Sequence, residues 1–439
     1  MPLQKNQVLT LRVERLSSDG SGVAHSPDGE TVFIPGAAPG DEARVRIVKD
    51  CKRYAFGILD EVLTPSPDRI PVDCAVAGPC GGCSLRHLDY AAELRAKQEN
   101  VADAFARIGG LDVPVLPIVG SPEVNRYRNK VQFPVGVDKS GKPCIGFYAG
   151  RTHRIVPCPD CRLQPGVLNE IGNALCAFFA EKGIQPYSEE TGRGLVRHIF
   201  LRRGAHSGQI MVCLVCTRAK LPSAEELCTR LKAQFAEITT ILLNVNAKNT
   251  NVILGTETHT LYGPGYIEDT LCGVPVQLGP LSFYQVNTLA AEQLYGIAAQ
   301  YAQLTPDDLL LDLYCGMGTI GLSMAAHCRE LIGVEIVPEA IESAKANAVR
   351  MGADVAAKSR FFCADAGQAA TRLAAEGLHP DIVMLDPPRK GCDEATLSAV
   401  VRMSPRRVVY VSCNPATAAR DAAWLEQNGY HAEKVQPVD

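Results

Sequence analysis

The chain has 439 residues, of which 46% are hydrophobic and 21% charged, and its formal net charge is −4. This length exceeds one ordinary domain, so we expect two to four domains, and the balanced composition indicates a soluble globular protein. No run approaches the ~18 apolar residues of a spanning helix and the N-terminus lacks a signal-peptide core, which excludes membrane insertion and predicts a cytoplasmic protein without an evident obligate protein partner. Seventeen cysteines in such a chain indicate reduced thiols that bind metal or react.

Short strands and Gly-rich turns dominate residues 1–63, and their spacing predicts a small β-barrel. The prolines of residues 64–71 predict a linker. A cysteine-rich stretch, 74–83, and a long helix over 90–108 follow. The chain is then mixed and strand-rich to about residue 275.

Positive charge is concentrated in the middle of the chain. Residues 122–220 contain 15 Lys and Arg against 7 Asp and Glu, a balance of +8. Arg126, Arg128 and Lys130 alternate along a probable strand, with aromatic residues nearby, and this mixture is typical of a surface that binds phosphates and stacks bases. A solvated face without a ligand is the alternative.

From about residue 305, strands alternate with helices, which predicts a doubly wound parallel sheet. Its first turn contains Gly316, Gly318 and Gly321 in G-x-G-x-x-G register, and Glu335 follows Gly316 by 19 residues, where a ribose-binding carboxylate belongs. This pair of features predicts a cofactor that contains adenosine.

Two cofactors fit this geometry, NAD and S-adenosylmethionine. Asp312 and Asp386, each at the end of a predicted strand, would repel the pyrophosphate of NAD and suit the sulfonium cation of S-adenosylmethionine. The carboxylates therefore favour the methyl donor.

Cys413 follows another predicted strand, in the sequence "VVYVSCNPATAARD". A cysteine there is often only a small core residue. However, C5 of uracil accepts a methyl group only after a thiolate has added to C6, so a methyltransferase of this type requires a nucleophilic cysteine. Cys413 would face the same crevice as the glycine turn.

Four segments, "SFYQVN", "LDLYCGMGTIGL", "LDPPRKG" and "SCNPATAARD", resemble the RNA uracil-C5 methyltransferases, specifically the 23S rRNA m5U enzymes that have a TRAM barrel and an iron–sulfur cluster. The resemblance implies Cys413 as the nucleophile, Asp386 as a second catalytic residue and Phe283 as a base-stacking residue. It also implies a set of S-adenosylmethionine contacts, namely Gln285, Tyr314, Gly316, Gly318, Glu335, Asp365 and Asp386.

The resemblance implies three parts: a TRAM-like barrel over 1–63, a central α+β RNA-binding domain of 74–90 and 122–275, and an α/β doubly wound methyltransferase domain of 91–121 and 276–439. The predicted partner is 23S ribosomal RNA. Three alternatives stay open: a tRNA m5U methyltransferase, an NAD- and cluster-dependent oxidoreductase, and a catalytically silent RNA-binding relative.

The cysteines of "DCAVAGPCGGC" and "VPCPDC" predict a metal site. By spacing alone, a zinc site of Cys80, Cys83, Cys158 and Cys161 is as plausible as an iron–sulfur cluster. The resemblance favours a [4Fe–4S] cluster held by Cys74, Cys80, Cys83 and Cys158, which leaves Cys161 as a spare thiol. We expect the metal to shape the RNA-binding domain.

Relatives continue beyond the segment that matches "HAEKVQPVD" with a strand and a glutamate that acts as the base. The sequence ends at Asp439. We therefore expect an unpaired edge strand over 431–437, and either a truncated record or another group that acts as the base.

Overall fold

Alternation of apolar and polar residues produces five strands that close into a barrel. The strands are β1 Val8–Leu16, β2 Gly22–His25, β3 Thr31–Ile34, β4 Glu42–Asp50 and β5 Tyr54–Thr64, in the order β1-β2-β3-β5-β4. This is a computed structural model, and it describes residues 3–150 and 152–439. The buried barrel core is aliphatic as far as the chain is described, and the predicted N-terminal barrel is confirmed.

The proline-containing segment after the barrel is fastened to it. Arg69 forms an ion pair of 2.7 Å with Asp41, which is fully buried, and donates a further hydrogen bond to the carbonyl of Gly36. A buried carboxylate requires such a partner. The barrel therefore extends its contacts beyond its last strand.

Helix α1 (Tyr90–Asp103) begins at Asp89, whose carboxylate accepts a hydrogen bond from the amide of Ala91. It continues as a π-helical turn over Ala104–Gly109 and ends at Gly110 in the left-handed conformation. Together these elements match the helix predicted over 90–108.

A seven-stranded sheet forms the central part of the chain. Its strands are β6 Lys130–Val137, β7 Pro143–Tyr148, β8 Ile155–Pro157, β9 Val196–Arg203, β10 Ile210–Cys216, β11 Ile238–Val245 and β12 Glu257–Tyr262, in the order β12-β11-β10-β9-β6-β7-β8. Helices α2 (Gly166–Glu181) and α3 (Ala224–Gln234) pack on it. The strand predicted around Arg126 and Arg128 begins only at Lys130, since Arg126 has φ of 61°.

A hairpin, β13 Ile267–Leu271 and β14 Val274–Leu278, leads into helix α4 (Thr288–Ala302). The C-terminal sheet follows, and all of its strands are parallel. They are β15 Leu309–Leu313, β16 Glu330–Glu335, β17 Ser359–Cys363, β18 Ile382–Leu385 and β19 Arg407–Tyr410, in the order β17-β16-β15-β18-β19.

The helices of this sheet are α5 Thr319–Met324, α6 Pro338–Met351, α7 Ala353–Lys358, α8 Ala366–Ala375, α9 Glu394–Met403 and α10 Pro415–Gln427, with a 3₁₀ turn at Ala325–His327. The predicted α/β doubly wound fold is confirmed. Within the described ranges, no helix has the length and apolar content that crossing a membrane requires.

The expectation of an unpaired edge strand over 431–437 is wrong. Val435 and Val438 pair in parallel with Val115 and Val119. Asp439 accepts hydrogen bonds from Lys97 and from the hydroxyl of Tyr90. The segment that precedes the sheet in sequence thus provides the partner for the last residues.

Candidate active site

Three carboxylates converge where β15, β16 and β18 end. Asp312 lies in β15, Glu335 ends β16 and Asp386 follows β18. Asp312 is 1% exposed; its Oδ2 accepts a hydrogen bond of 3.0 Å from the amide of Gly321, while its Oδ1 is buried without a partner among the described residues. The parallel topology brings all three groups to one crevice.

Burial in this crevice favours the neutral form of Asp312 and, to a smaller extent, of Asp386. Burial raises the pKa of Asp312 to about 8, and the negative charges of Asp386 and Glu335 raise it further. Burial also raises the pKa of Asp386 to about 6. A positive ligand would stabilise the ionised carboxylates, so the site suits a sulfonium and disfavours a pyrophosphate.

The glycine turn leaves room for a ligand beside the acid. Gly316 has φ of 55°, and no described atom lies within 4 Å of the place that a Cβ would occupy there. Gly318 has φ of 78° and approaches Leu322 and Ala344 closely enough that a side chain would crowd them. The amide of Gly316 donates to Glu335 Oε2 at 3.1 Å. The glycine turn and Glu335, both predicted to bind adenosine, therefore lie side by side.

Two further predicted cofactor contacts lie at the rim. Asp365 is the N-cap of α8, and its carboxylate accepts a hydrogen bond of 3.1 Å from the amide of Gln368. Tyr314 has φ of 68° and its hydroxyl lies 3.4 Å from Thr396 Oγ1 on α9, with burial raising its pKa. Asp365 stands next to the crevice, while the Tyr314 hydroxyl points toward the α9 side.

Phe283 lies on the loop between β14 and α4 and is 76% exposed. Sequence reasoning missed the residue that shapes this loop, Arg202 of β9. The buried Arg202 guanidinium donates to the carbonyls of Gly279 at 2.9 Å and Ser282 at 2.7 Å. Its sequence signal is weak, because β9 also contains Arg197, His198 and Arg203.

Two more missed residues position Gln285. Asn129 Nδ2 donates to the backbone carbonyl of Gln285 at 2.7 Å, and the Gln285 side chain interacts with the hydroxyl of Tyr295, which opposes the rise that burial causes in the pKa of Tyr295. Asn129 is 156 residues away from Gln285 in sequence, whereas Tyr295 follows it closely, on α4. The polar residue between two cations in "RNK" is a weak signal for Asn129, and nothing in the pattern around Tyr295 distinguishes it from core.

Cys413 is exposed at the start of the loop that leads into α10. Asn414 caps α10 and donates to the carbonyl of Arg389 at 3.1 Å, and Thr417 donates to the same carbonyl. These bonds connect the Cys413 loop to the loop that follows Asp386. The exposure excludes a core role for the Cys413 thiol, and its loop lies beside the carboxylate crevice.

Five cysteines line one cavity of about 290 Å³ between the cysteine-rich loop and the central sheet. They are Cys74, Cys80, Cys83, Cys158 and Cys161. In the part of the chain that the structure describes, no three Cys, His or carboxylate side chains stand close enough to form a ready metal site. The cavity wall is cationic, with Arg86, Arg128, Lys130 and Arg162, and such a lining fits a cluster whose ligands are thiolates.

Cys161, the thiol predicted to be spare, interacts with the thiol of Cys158. A hydrogen bond with the Cys158 thiol, together with those from the amides of Leu163 and Gln164, lowers the pKa of Cys161 against the effect of burial. The pKa of Cys158 is raised by the same bond. Because metal ligands must be deprotonated, Cys161 competes with Cys158 for the role of fourth ligand.

The three cations predicted to bind RNA are differently engaged. Arg126 pairs with Asp160 at 2.6 Å and donates to the carbonyls of Cys161 and Gln164. Arg128 and Lys130 line the cysteine cavity, and burial, followed by repulsion from neighbouring arginines, lowers the pKa of Lys130. Arg126 thus stabilises the turn that contains Cys161 and Gln164.

Comparison with known proteins agrees with this geometry. Residues 206–435 match the model of the tRNA (uracil-5-)-methyltransferase family, and residues 2–59 match the TRAM domain. An RNA methyltransferase of Halalkalibacterium halodurans is 43% identical over 439 residues, which cover all of this chain and 95% of the relative. One of Listeria monocytogenes is 42% identical over 441 residues, with 100% and 95% coverage.

The chain also resembles a solved structure, the tRNA (uracil-54, C5)-methyltransferase of Pyrococcus abyssi in complex with S-adenosyl-L-homocysteine. The TM-score is 0.77 at 25% identity, over 98% of this chain and 96% of that one. The chain therefore belongs to the tRNA (uracil-5-)-methyltransferase family of S-adenosylmethionine-dependent RNA methyltransferases, and it carries an N-terminal TRAM domain.

Proposed function

We propose that this chain methylates C5 of a uridine in 23S rRNA through a covalent bond between Cys413 and C6 of the base. The observation that supports it best is the exposed Cys413 thiol, on a loop hydrogen-bonded to the loop that follows Asp386. A nucleophile and a carboxylate side by side are what addition to the uracil ring requires.

The proposed roles follow the chemistry of the ring. The Cys413 thiolate forms a bond to C6, which makes C5 nucleophilic, and S-adenosylmethionine, when bound, supplies the methyl group that C5 accepts. Asp386 holds the base and stabilises the positive donor, while Phe283 stacks on the base. A base then takes the C5 proton, the C5–H electron pair forms the C5–C6 double bond, and the Cys413 sulfur leaves C6 as a thiolate.

A mechanism-based trap tests this proposal. RNA with 5-fluorouridine at the target cannot lose its C5 substituent as a proton, so the adduct should persist on a denaturing gel. Cys413→Ser should abolish the adduct, and Cys363→Ser, which removes another exposed thiol, should leave it intact. An adduct that persists in Cys413→Ser would refute the assignment.

We propose that Gln285, Tyr314, Gly316, Gly318, Glu335, Asp365 and Asp386 bind S-adenosylmethionine. The open space at Gly316 and the hydrogen bond that its backbone amide donates to Glu335 support this set. Titration with S-adenosylmethionine and with NADH separates it from the NAD-dependent alternative. Saturable binding of NADH alone would contradict the proposal.

We also propose that the cysteine cavity holds a [4Fe–4S] cluster, with Cys74, Cys80 and Cys83 as ligands and the fourth thiol from Cys158 or Cys161. The cationic wall and the amide donors to Cys161 support an anionic sulfur-rich group. Iron and sulfide analysis of Cys158→Ser and Cys161→Ser, purified without oxygen, identifies the fourth ligand by which variant loses iron. Stoichiometric zinc in the parent protein would support the zinc alternative.

A tRNA substrate is the second candidate, and the resemblance of the whole chain to the tRNA enzyme of Pyrococcus abyssi favours it. Mapping of 5-methyluridine in rRNA and tRNA from cells with and without the gene distinguishes the two. A modification that disappears only from tRNA would overturn the rRNA assignment without affecting the proposed chemistry.

A further inference from the structure

The barrel carries all of its aromatic residues on the outside. Residues 1–64 contain three, Phe33, Tyr54 and Phe56. Phe33 lies 5.7 Å from Tyr54 and 5.9 Å from Phe56 between ring centroids, and Tyr54 lies 5.6 Å from Phe56. Tyr54 is 40% exposed. We call these three rings the aromatic cluster.

The aromatic cluster borders a cavity that leads to the catalytic loop. This cavity of about 350 Å³, the barrel cleft, is lined by Phe33 and Arg15 of the barrel, by Arg107 and Ile108 of the π-helical turn, and by Asn414 and Pro415. The last two residues directly follow Cys413. An RNA strand with its target base at Cys413 could therefore extend into the barrel cleft.

Cations stand around the same cleft. Arg15 and Arg107 share one carboxylate, that of Asp103, at 2.9 Å and 3.4 Å. Their side chains are 47% and 68% exposed. Two guanidinium groups with one acid leave a net positive charge, which a phosphate could balance. Ile108, 57% exposed, adds an apolar surface beside them.

Rings next to exposed cations are the combination that binds single-stranded nucleic acid, because bases stack on the rings and phosphates contact the cations. A purely structural role explains cross-strand ring pairs, but it does not explain why the cluster borders a positive cleft that ends beside the catalytic cysteine. An enzyme that acts on a base must take it out of the stack, so its neighbours become available for such contacts.

We propose that the barrel cleft is a subsite for an unpaired nucleotide that flanks the target uridine, with its base against Phe33 and its phosphate near Arg15 and Arg107. This inference rests on the proposed function, since it takes the target to lie at Cys413. It makes the barrel a part of substrate selection beside the active site.

The direct test is photocross-linking of the full chain to RNA with 5-iodouridine at one of the three positions on either side of the target. We expect one position to cross-link to the peptides that contain Phe33 or Tyr54. Phe33→Leu should weaken RNA binding about 10-fold, within the range reported for one stacked base, without changing the affinity for S-adenosylmethionine or the thermal midpoint.

Two controls and one further test variant keep the result interpretable. Ile58→Ala removes another exposed apolar side chain of β5 and should have no effect, while Phe33→Tyr keeps the ring and should restore binding. Arg107→Gln should flatten the salt dependence of RNA binding by about 0.7 in log–log slope.

Cross-links confined to other segments, or wild-type RNA affinity in Phe33→Leu, would overturn the subsite. So would a dimer in sedimentation that Phe33→Leu dissociates, because a second copy would then cover the aromatic cluster. The 5-fluorouridine adduct at Cys413 is measured in a separate experiment. If no adduct forms, the proposed function is rejected; if the adduct forms but the cleft variants bind RNA normally, only the subsite is rejected.

Discussion

The carboxylate crevice and the cysteine cavity have walls of opposite charge. Asp312, Glu335 and Asp386 meet at the first, whereas arginines and Lys130 surround the thiols at the second. The difference indicates that a cationic ligand is favoured at the first site and an anionic group at the second. This contrast is the basis for proposing a sulfonium donor at the first site and a thiolate-ligated cluster at the second.

The two sites also differ in how they are assembled. The crevice uses the ends of neighbouring parallel strands, each next to a recognisable motif. The cavity joins a loop before α1, the start of β6 and the turn after β8. Substitutions that alter the charge of one wall therefore test the comparison directly.

The largest effect is expected at the crevice, in Asp386→Asn. This change removes the carboxylate proposed to hold the base and the donor, so single-turnover methylation should fall on the order of 10²- to 10⁴-fold. Asp307→Asn, an exposed acid outside the crevice, should match the parent. An active Asp386→Asn enzyme would remove Asp386 from the proposed mechanism.

Cys80→Ser should have the next largest effect, at the cysteine cavity. Loss of a ligand should release iron and lower the free energy of unfolding by more than about 4 kcal/mol, because metal ligation contributes to folding. Iron and sulfide analysis and urea unfolding without oxygen measure both. Cys51→Ser, a half-buried cysteine of the barrel, is the control, and equal iron in both variants would argue against the cluster.

Asp312→Asn should change the pH dependence of stability. The folded pKa of about 8 exceeds the unfolded value, so the neutral Asp312 stabilises the fold fully below pH ~4, and this contribution is lost as pH rises through 8. Between pH 6 and 8 the parent should lose up to about 1.4 kcal/mol per pH unit from this group, and the variant should be flatter. Urea unfolding at several pH values without cofactor measures the slope, and parallel curves would contradict a neutral Asp312.

The smallest effect concerns the cations near the cavity. Lys130→Gln should flatten the log–log salt slope of RNA binding by at most about 0.9, and Arg126→Gln should leave it unchanged, because Asp160 already pairs with Arg126. Filter binding at several salt concentrations measures this. A flatter slope in Arg126→Gln would show that the arginine leaves Asp160 to bind phosphate.

The sequence was sufficient for the fold class because strand–turn–helix motifs are local. Gly316, Glu335 and Asp386 lie where the motifs predicted, since the carboxyl ends of parallel strands meet at one edge. The roles of Arg202 and Asn129 could not be read in this way, because their partners are backbone carbonyls about 77 to 156 residues away. The same holds for Arg126, whose side chain is held by the carbonyl of Cys161. The pairing of Val435 with Val115 likewise depends on a segment more than 300 residues earlier.

The ion pair between Arg69 and Asp41 limits how the barrel can be separated from the rest of the chain. A fragment that ends with β5 would deprive the buried Asp41 carboxylate of its countercharge Arg69 and of the hydrogen bond from the amide of Ser66, and removing one partner of a buried ion pair is destabilising. Arg69 is itself held by a bridge to Leu88, just before α1. The folding unit of the barrel therefore includes the segment from β5 to Leu88. A barrel that is expressed alone or fused to another protein should retain this segment.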